Sequence, residues 1–156
     1  MKYIDTSAFV KNYSQELEEK GAEKISAEIR KAKQGKEILL SSIILIGETV
    51  SVFDKWLRQG LVDQDGFDKI LTQFVIDIKE LHETGGLLLE INPVIFLLSI
   101  ELVLKYHLHL NDATHLYTAL SWMPTNTEFV SADRNLNIAA KNESFKIINP
   151  EDHEPH

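Results

Sequence analysis

Short runs of apolar residues alternate along this chain with longer stretches in which apolar positions recur every three or four residues. The short runs, Lys2 to Asp5, Glu37 to Leu40, Leu87 to Ile91, Glu128 to Ser131 and Lys146 to Ile148, predict five strands. Between the first two, Leu17, Ile25, Ile29 and Ala32 keep helical spacing among Glu and Lys residues, and Gly35 ends the run. Phe67, Ile70, Leu71, Phe74, Val75, Ile78 and Leu81 form a clearer amphipathic stripe, closed by Gly85 and Gly86. Asn92 before Pro93 predicts a helix start, and Val94 to Leu104, apolar nearly all round, predicts a buried helix. Asn111 and Asp133 are placed as caps of two further helices. Such alternation predicts one α/β domain over residues 1–150, a mostly parallel five-stranded sheet flanked by helices. Residues 151–156 are expected to form a flexible tail.

Composition narrows this picture only a little. A chain of 156 residues with 44% hydrophobic and 26% charged positions suits one folded domain. It has no cysteine, which excludes disulfides, thiolate metal sites and cysteine nucleophiles. Met1 leads straight into the first strand pattern without the charged and apolar regions of a signal peptide, so a cytoplasmic protein is expected. The apolar run from Val94 is too short for a bilayer, which needs roughly 20 residues, and no membrane association is expected. The net charge of −8 opposes a nucleic-acid partner in general, since phosphate binding relies on Lys and Arg. That objection weakens where acids belong to a cation site, because bound metal cancels them.

Four acids carry the candidate chemistry. Asp5, Glu48, Asp112 and Asp133 each fall where a strand hands over to a helix or just inside the helix that follows. In an open parallel sheet all strand C-termini share one edge, so acids scattered along the sequence converge there. Gathered carboxylates persist as anions mainly when a cation neutralises them, and oxygen ligands select Mg²⁺ or Mn²⁺.

Each acid also has an ordinary explanation. Asp5 and Asp133 suit helix caps, Asp112 suits a first helical turn, and Glu48 shares a face with Ser51 and Lys55. These explanations cover the acids singly and leave open why all four lie at one predicted edge. His115, three residues after Asp112, reads as a hydrogen-bonded core histidine, because no second His or Cys stands at ligand spacing. Lys11 and Arg134 are the candidate phosphate contacts, being near two of the acids in sequence, whereas Lys141 reads as solvated.

Taken together, the segments Ile4 to Lys11, the helix of Glu48, Asn111 to Leu116 and Val130 to Leu136 resemble the PIN-domain ribonucleases, especially VapC-type toxins. The resemblance runs nearly the whole chain, to the closing Lys146 to Pro150. It implies that Asp5, Glu48, Asp112 and Asp133 hold one or two Mg²⁺ or Mn²⁺ ions, with hydroxyl support from Thr6, Ser7 and Ser131. Ser131 stands where the family often has Thr, and Asn135 and Asn137 stand where some relatives carry a further acid, which bears on the second ion. The implied activity is hydrolysis of RNA phosphodiesters. The implied partners are a second copy of the chain and a VapB-like antitoxin that blocks the active site. Two other readings keep the fold: an RNA-processing nuclease outside a toxin system, and a non-catalytic PIN-like binding module. An aspartate-nucleophile phosphohydrolase would need a second Asp two positions after the first, where this chain has Ser7.

Overall fold

In the computed structural model, which describes residues 1–124 and 126–152, the alternation gives a five-stranded sheet in the order β3-β2-β1-β4-β5. The strands are β1 (Lys2–Ile4), β2 (Leu39–Ser42), β3 (Leu87–Glu90), β4 (Glu128–Val130) and β5 (Lys146–Ile148). Every neighbouring pair is parallel, so all five C-termini point to one edge. Side chains alternate across a strand, and that period of two builds two separate cores. Ile4, Leu39 and Val130 face one layer, while Tyr3, Leu40 and Phe129 face the other.

The first layer is made by α1 (Thr6–Phe9), α2 (Ala22–Lys33), α3 (Ile44–Arg58) and α4 (Gln64–Glu83). After β3 the chain crosses to the second layer through α5 (Pro93–Leu98), α6 (Ile100–Tyr106) and α7 (Leu110–Trp122), then returns through α8 (Arg134–Asn142) between β4 and β5. The winding direction therefore reverses between β1 and β4. In a doubly wound sheet that reversal opens a crevice at the strand C-termini, because the loops there diverge to opposite faces.

Local chemistry explains several boundaries. Asn92 caps α5 by accepting the Val94 N–H, with Pro93 at the first helical position. Asp63 caps α4 by accepting the Gly66 N–H. At Gly86 a Cβ would fall 2.3 Å from the Ala32 carbonyl oxygen, so only glycine lets the chain enter β3 against the end of α2.

Four expectations need correction. Strand β2 runs two residues later than its apolar run, because Ser41 is a core residue whose hydroxyl donates to the Ile4 carbonyl at 2.7 Å. Leu17 belongs to a 3-10 turn, Gln15–Leu17, and α2 begins only at Ala22, after Glu18 and Gly21 adopt positive φ. Asn111 lies inside α7, whose N-cap is His109. The apolar run from Val94 is broken at Ser99, whose hydroxyl donates to the Ile95 carbonyl, and much of it faces outward: Val94, Leu97, Leu98, Ile100 and Leu104 are exposed. Among the described residues no single helix is long and apolar enough to cross a membrane.

The start of the expected tail is tied down. Lys11 pairs with Glu151 at 2.8 Å, and Lys24 donates to the Asp152 carbonyl at 2.8 Å. The remainder, residues 153–156 with His153 and His156, lies outside the described residues.

Candidate active site

Asp5 follows β1 and Asp133 follows β4, on either side of the crevice, and both are helix caps. Asp5 accepts the Ala8 N–H at 3.0 Å and Asp133 accepts the Leu136 N–H at 2.7 Å. The capping explanation is thus correct for both and does not compete with a shared site. Asp112 stands in the first turn of α7, and Glu48 on the second turn of α3.

Two hydroxyls fix Asp5. The Ser7 hydroxyl donates to its carboxylate at 2.8 Å, and the Ser131 hydroxyl donates to Oδ2 at 2.9 Å. As acceptors, Ser7 Oγ takes the backbone N–H groups of Ala132 at 2.9 Å and Asp133 at 3.2 Å, while Ser131 Oγ takes that of Asp133 at 3.0 Å. These two serines therefore lock the loop after β4 onto the acid after β1. Thr6 serves a different acid, donating to Glu48 Oε2. The three hydroxyl-bearing residues singled out in the sequence divide the work between two carboxylates.

Electrostatics reports how closely the acids gather. The Asp112 carboxyl is pushed up to about 6 by burial and then by the charges of Asp133, Asp5 and Glu48, against the opposing pull of His115. Asp5 is also raised, by complete burial, although His115, the Ala8 N–H, Ser7 and Ser131 oppose the shift. Burial pushes Glu48 up too, but the His115 hydrogen bond and charge, with Thr6 and Asn111, outweigh it and leave the carboxyl below its usual range.

The donor set consists of carboxylate and hydroxyl oxygens, which fits a hard divalent cation and excludes a soft one. The acids are not a closed chelate: among the described residues no three His, Asp or Glu side chains stand as a ready metal-binding group. Asp5 and Asp133 accept from O–H and N–H donors, and Glu48 accepts from Thr6 and His115.

The basic candidates separate. Arg134, the first residue of α8, is exposed beside Asp133 and has no acidic partner among the described residues. Lys11 is only 5% exposed, and its ammonium is committed to Glu151 and, at 3.6 Å, Glu19, so it is not a free phosphate contact. Lys141 is solvated, as its position in the sequence suggested.

Sequence reasoning placed His115 in the core and missed its connection. The ring is buried, with Nε2 2.9 Å from Glu48 Oε2 and Nδ1 2.8 Å from the Tyr3 hydroxyl. The available signal was strand alternation, which puts Tyr3 on the face of β1 that α7 covers.

A parallel five-stranded sheet with helices on both faces and a reversal of winding between β1 and β4 defines a doubly wound α/β fold. This chain belongs to the PIN domain family, whose profile matches residues 2–142. Among solved structures it is similar to "PAE2754 from Pyrobaculum aerophilum", with 19% identity, a TM-score of 0.58 and coverage of 97% of this chain and 92% of that one. At that identity the likeness concerns the fold. No curated protein matches.

Proposed function

We propose that this PIN domain is a divalent-metal-dependent endoribonuclease and the toxin of a VapBC-type toxin-antitoxin pair. The observation that supports the nuclease reading is the upward displacement of the Asp112 carboxyl by burial and then by the charges of Asp133, Asp5 and Glu48, which fits the four acids sharing one pocket. Asp5, Asp112 and Asp133 would hold one or two Mg²⁺ or Mn²⁺ ions, with Glu48 as a further ligand or as the group orienting the attacking water. The ion's part is to lower the pKa of water and to offset charge building on the phosphate. The chain's own part is preparation. Ser7, Ser131 and the Ala8 N–H keep the Asp5 carboxylate from rotating, Thr6 and His115 do the same for Glu48, and Arg134 can hold an RNA phosphate at the pocket rim.

The toxin assignment rests on the sequence resemblance to VapC-type proteins and on two further properties of the chain. The exposed apolar face of α5 and α6 suits burial against a second copy of the chain. A net charge of −8 favours capture by a basic partner such as a VapB-like antitoxin. An RNA-processing role would keep the same chemistry without the antitoxin.

The decisive experiment is cleavage of structured RNA by purified protein with Mg²⁺ or Mn²⁺, with chelator, and with Asp112→Asn. The reading requires metal-dependent cutting that chelator stops and that Asp112→Asn lowers by about 100-fold or more. Undiminished cutting by folded Asp112→Asn would refute it.

A further inference from the structure

Between α3 and α7 runs a groove that opens at Glu48 and deepens into a mostly apolar cavity of about 470 Å³. One wall is a face of α7, where Asn111, Thr114 and Thr118 recur at the spacing of a single helix face. The other wall is the start of α3, with Ile44, Gly47 and Glu48. Ile44 lines both the open end and the deeper cavity, so the two are continuous. The far end is closed by Ile95 and Phe96 of α5 and by Glu90, Ile91 and Asn92, where the chain leaves β3.

The lining suits a flat ring with a hydrogen-bonding edge. Phe96 is 39% exposed and offers an aromatic surface for stacking. Asn92 is fixed in orientation, because its Oδ1 accepts the Val94 N–H at 2.9 Å, and its amide nitrogen keeps donors that no acceptor among the described residues takes. Glu90 accepts the Asn92 N–H through Oε1 at 2.7 Å, which leaves Oε2 as an acceptor on the same rim. The Thr114 and Thr118 hydroxyls spend their protons on the carbonyls of Leu110 and Thr114, so donation in the cavity falls to Asn92. Gly47 adds an independent sign of a ligand. It lies inside α3, where glycine weakens a helix, and a Cβ built on it meets nothing within 4 Å, so packing within the chain does not call for it. Glycine there keeps the backbone open to close approach, at the passage from Glu48 to the cavity.

We propose that this cavity is a base-binding subsite, which takes the nucleobase of the RNA residue next to the scissile phosphate, stacked on Phe96 and read along its edge by Asn92 and Glu90. This rests on the nuclease reading above and adds a sequence preference to it. A donor amide beside an acceptor carboxylate matches a ring-nitrogen acceptor next to an exocyclic amine, which adenine and cytosine present on their Watson–Crick edges; guanine and uracil carry a ring N–H there instead. Base stacking also supplies binding that phosphate contacts do not in a chain of net charge −8 whose Lys11 is committed to Glu151. Leu97, at the cavity's outer wall, is the one described residue it shares with the exposed apolar face of Val94, Leu98, Ile100 and Leu104, so that face can meet a second copy while the cavity takes a base.

The test titrates the metal-free, full-length protein with the 5′-monophosphates of adenosine, cytidine, guanosine and uridine, at millimolar concentration, followed by NMR. Signals of Ile91, Thr114 and the Asn92 side-chain amide should shift, and saturate earlier with the adenosine and cytidine nucleotides than with the other two. Phe96→Ala should weaken this binding about 10-fold, and Glu90→Gln should remove the preference among bases. Gly47→Leu should block binding while raising the melting temperature, opposite signs that a merely structural role does not produce. In RNA cleavage Phe96→Ala should raise KM about 10-fold and leave kcat unchanged. Absence of shifts in the cavity with all four nucleotides, or wild-type binding by folded Phe96→Ala and Gly47→Leu, would overturn the proposal. A Phe96→Ala protein that loses dimerisation but keeps nucleotide binding would overturn it too, assigning the cavity to contact between copies. Binding in the cavity of a protein that cuts no RNA would uphold the subsite and sink the nuclease reading, whereas metal-dependent cutting without base preference or shifts would do the reverse.

Discussion

The Ser7 hydroxyl oxygen accepts the backbone N–H of Asp133 at 3.2 Å, joining residues from the first and fourth strand ends through one side chain. The same oxygen accepts the Ala132 N–H and donates its proton to Asp5. Asp133 retains a second acceptor in Ser131, but Ala132 does not, so Ser7→Ala orphans one N–H and frees one carboxylate. A loss of about 1–2 kcal/mol is expected in urea unfolding at neutral pH. Cleavage should fall further than this stability loss explains, because Asp5 and Asp133 lose their mutual register.

Asp112 makes a pH prediction whose sign differs from that of an ordinary ion pair. Its carboxyl titrates near 6 in the folded chain, against 3.8 for an unperturbed group. Between those values the folded state holds more protons than the unfolded one, so stability falls as pH rises through the window. Asp112→Asn removes that penalty and should stabilise the metal-free protein at pH 7 by about 1 kcal/mol, a figure discounted for the group's partial exposure. Thermal unfolding at pH 4 and pH 7 reads this directly, the gain appearing at pH 7 and vanishing at pH 4. Glu48, whose carboxyl is lowered, contributes the other way, and its stabilisation is lost as pH falls.

Much of this arrangement is legible in the sequence because it follows from period and order. Alternating strand and helix patterns imply a parallel sheet, and a parallel sheet sends Asp5 and Asp133 to one edge whatever the packing details. What could not be read depends on three-dimensional neighbours. The fate of Lys11 is set by Glu151, 140 positions along the chain, and nothing near Lys11 announces that pairing. The Val94–Leu104 run looks like core because it is apolar all round, yet whether it is covered depends on how much of α5 and α6 the single helix α7 can shield. Ser41 shows the opposite failure, a polar residue inside a strand because a strand-end carbonyl accepts its proton.

A second buried acid lies away from the crevice and predicts stability without activity. Asp77 on α4, 2% exposed, accepts from Tyr13 at 2.8 Å and Gln73 at 2.7 Å, and pairs with Lys33 at 2.6 Å. None of its partners is one of the four candidate acids. Asp77→Ala strands the Tyr13 hydroxyl and the amide of Gln73 and leaves Lys33 with Glu80 alone, so a loss of about 3 kcal/mol is expected. Thermal unfolding should register it, while the kcat of protein that remains folded should match the wild type.

The exposed apolar face of α5 and α6 predicts association. Leu97 and Leu104 are 67% and 72% exposed, and Val94, Leu98 and Ile100 extend the patch. Leaving these side chains in water forgoes their burial energy, and a two-fold contact can recover it because the same patch then covers itself. A standard interface removes about 1,600 Å² from water in total, which two short helices per subunit can supply with little help from their flanks. Light scattering at tens of micromolar should therefore report a dimer. Leu97→Asp combined with Leu104→Asp places four charges in that contact per dimer and should give a monomer with little change in melting temperature, since both side chains are already exposed. Val75→Asp, on the equally exposed outer face of α4, serves as the control and should leave the dimer intact. A wild-type monomer at that concentration, or a double variant that still dimerises, would rule out α5 and α6 as the contact between copies.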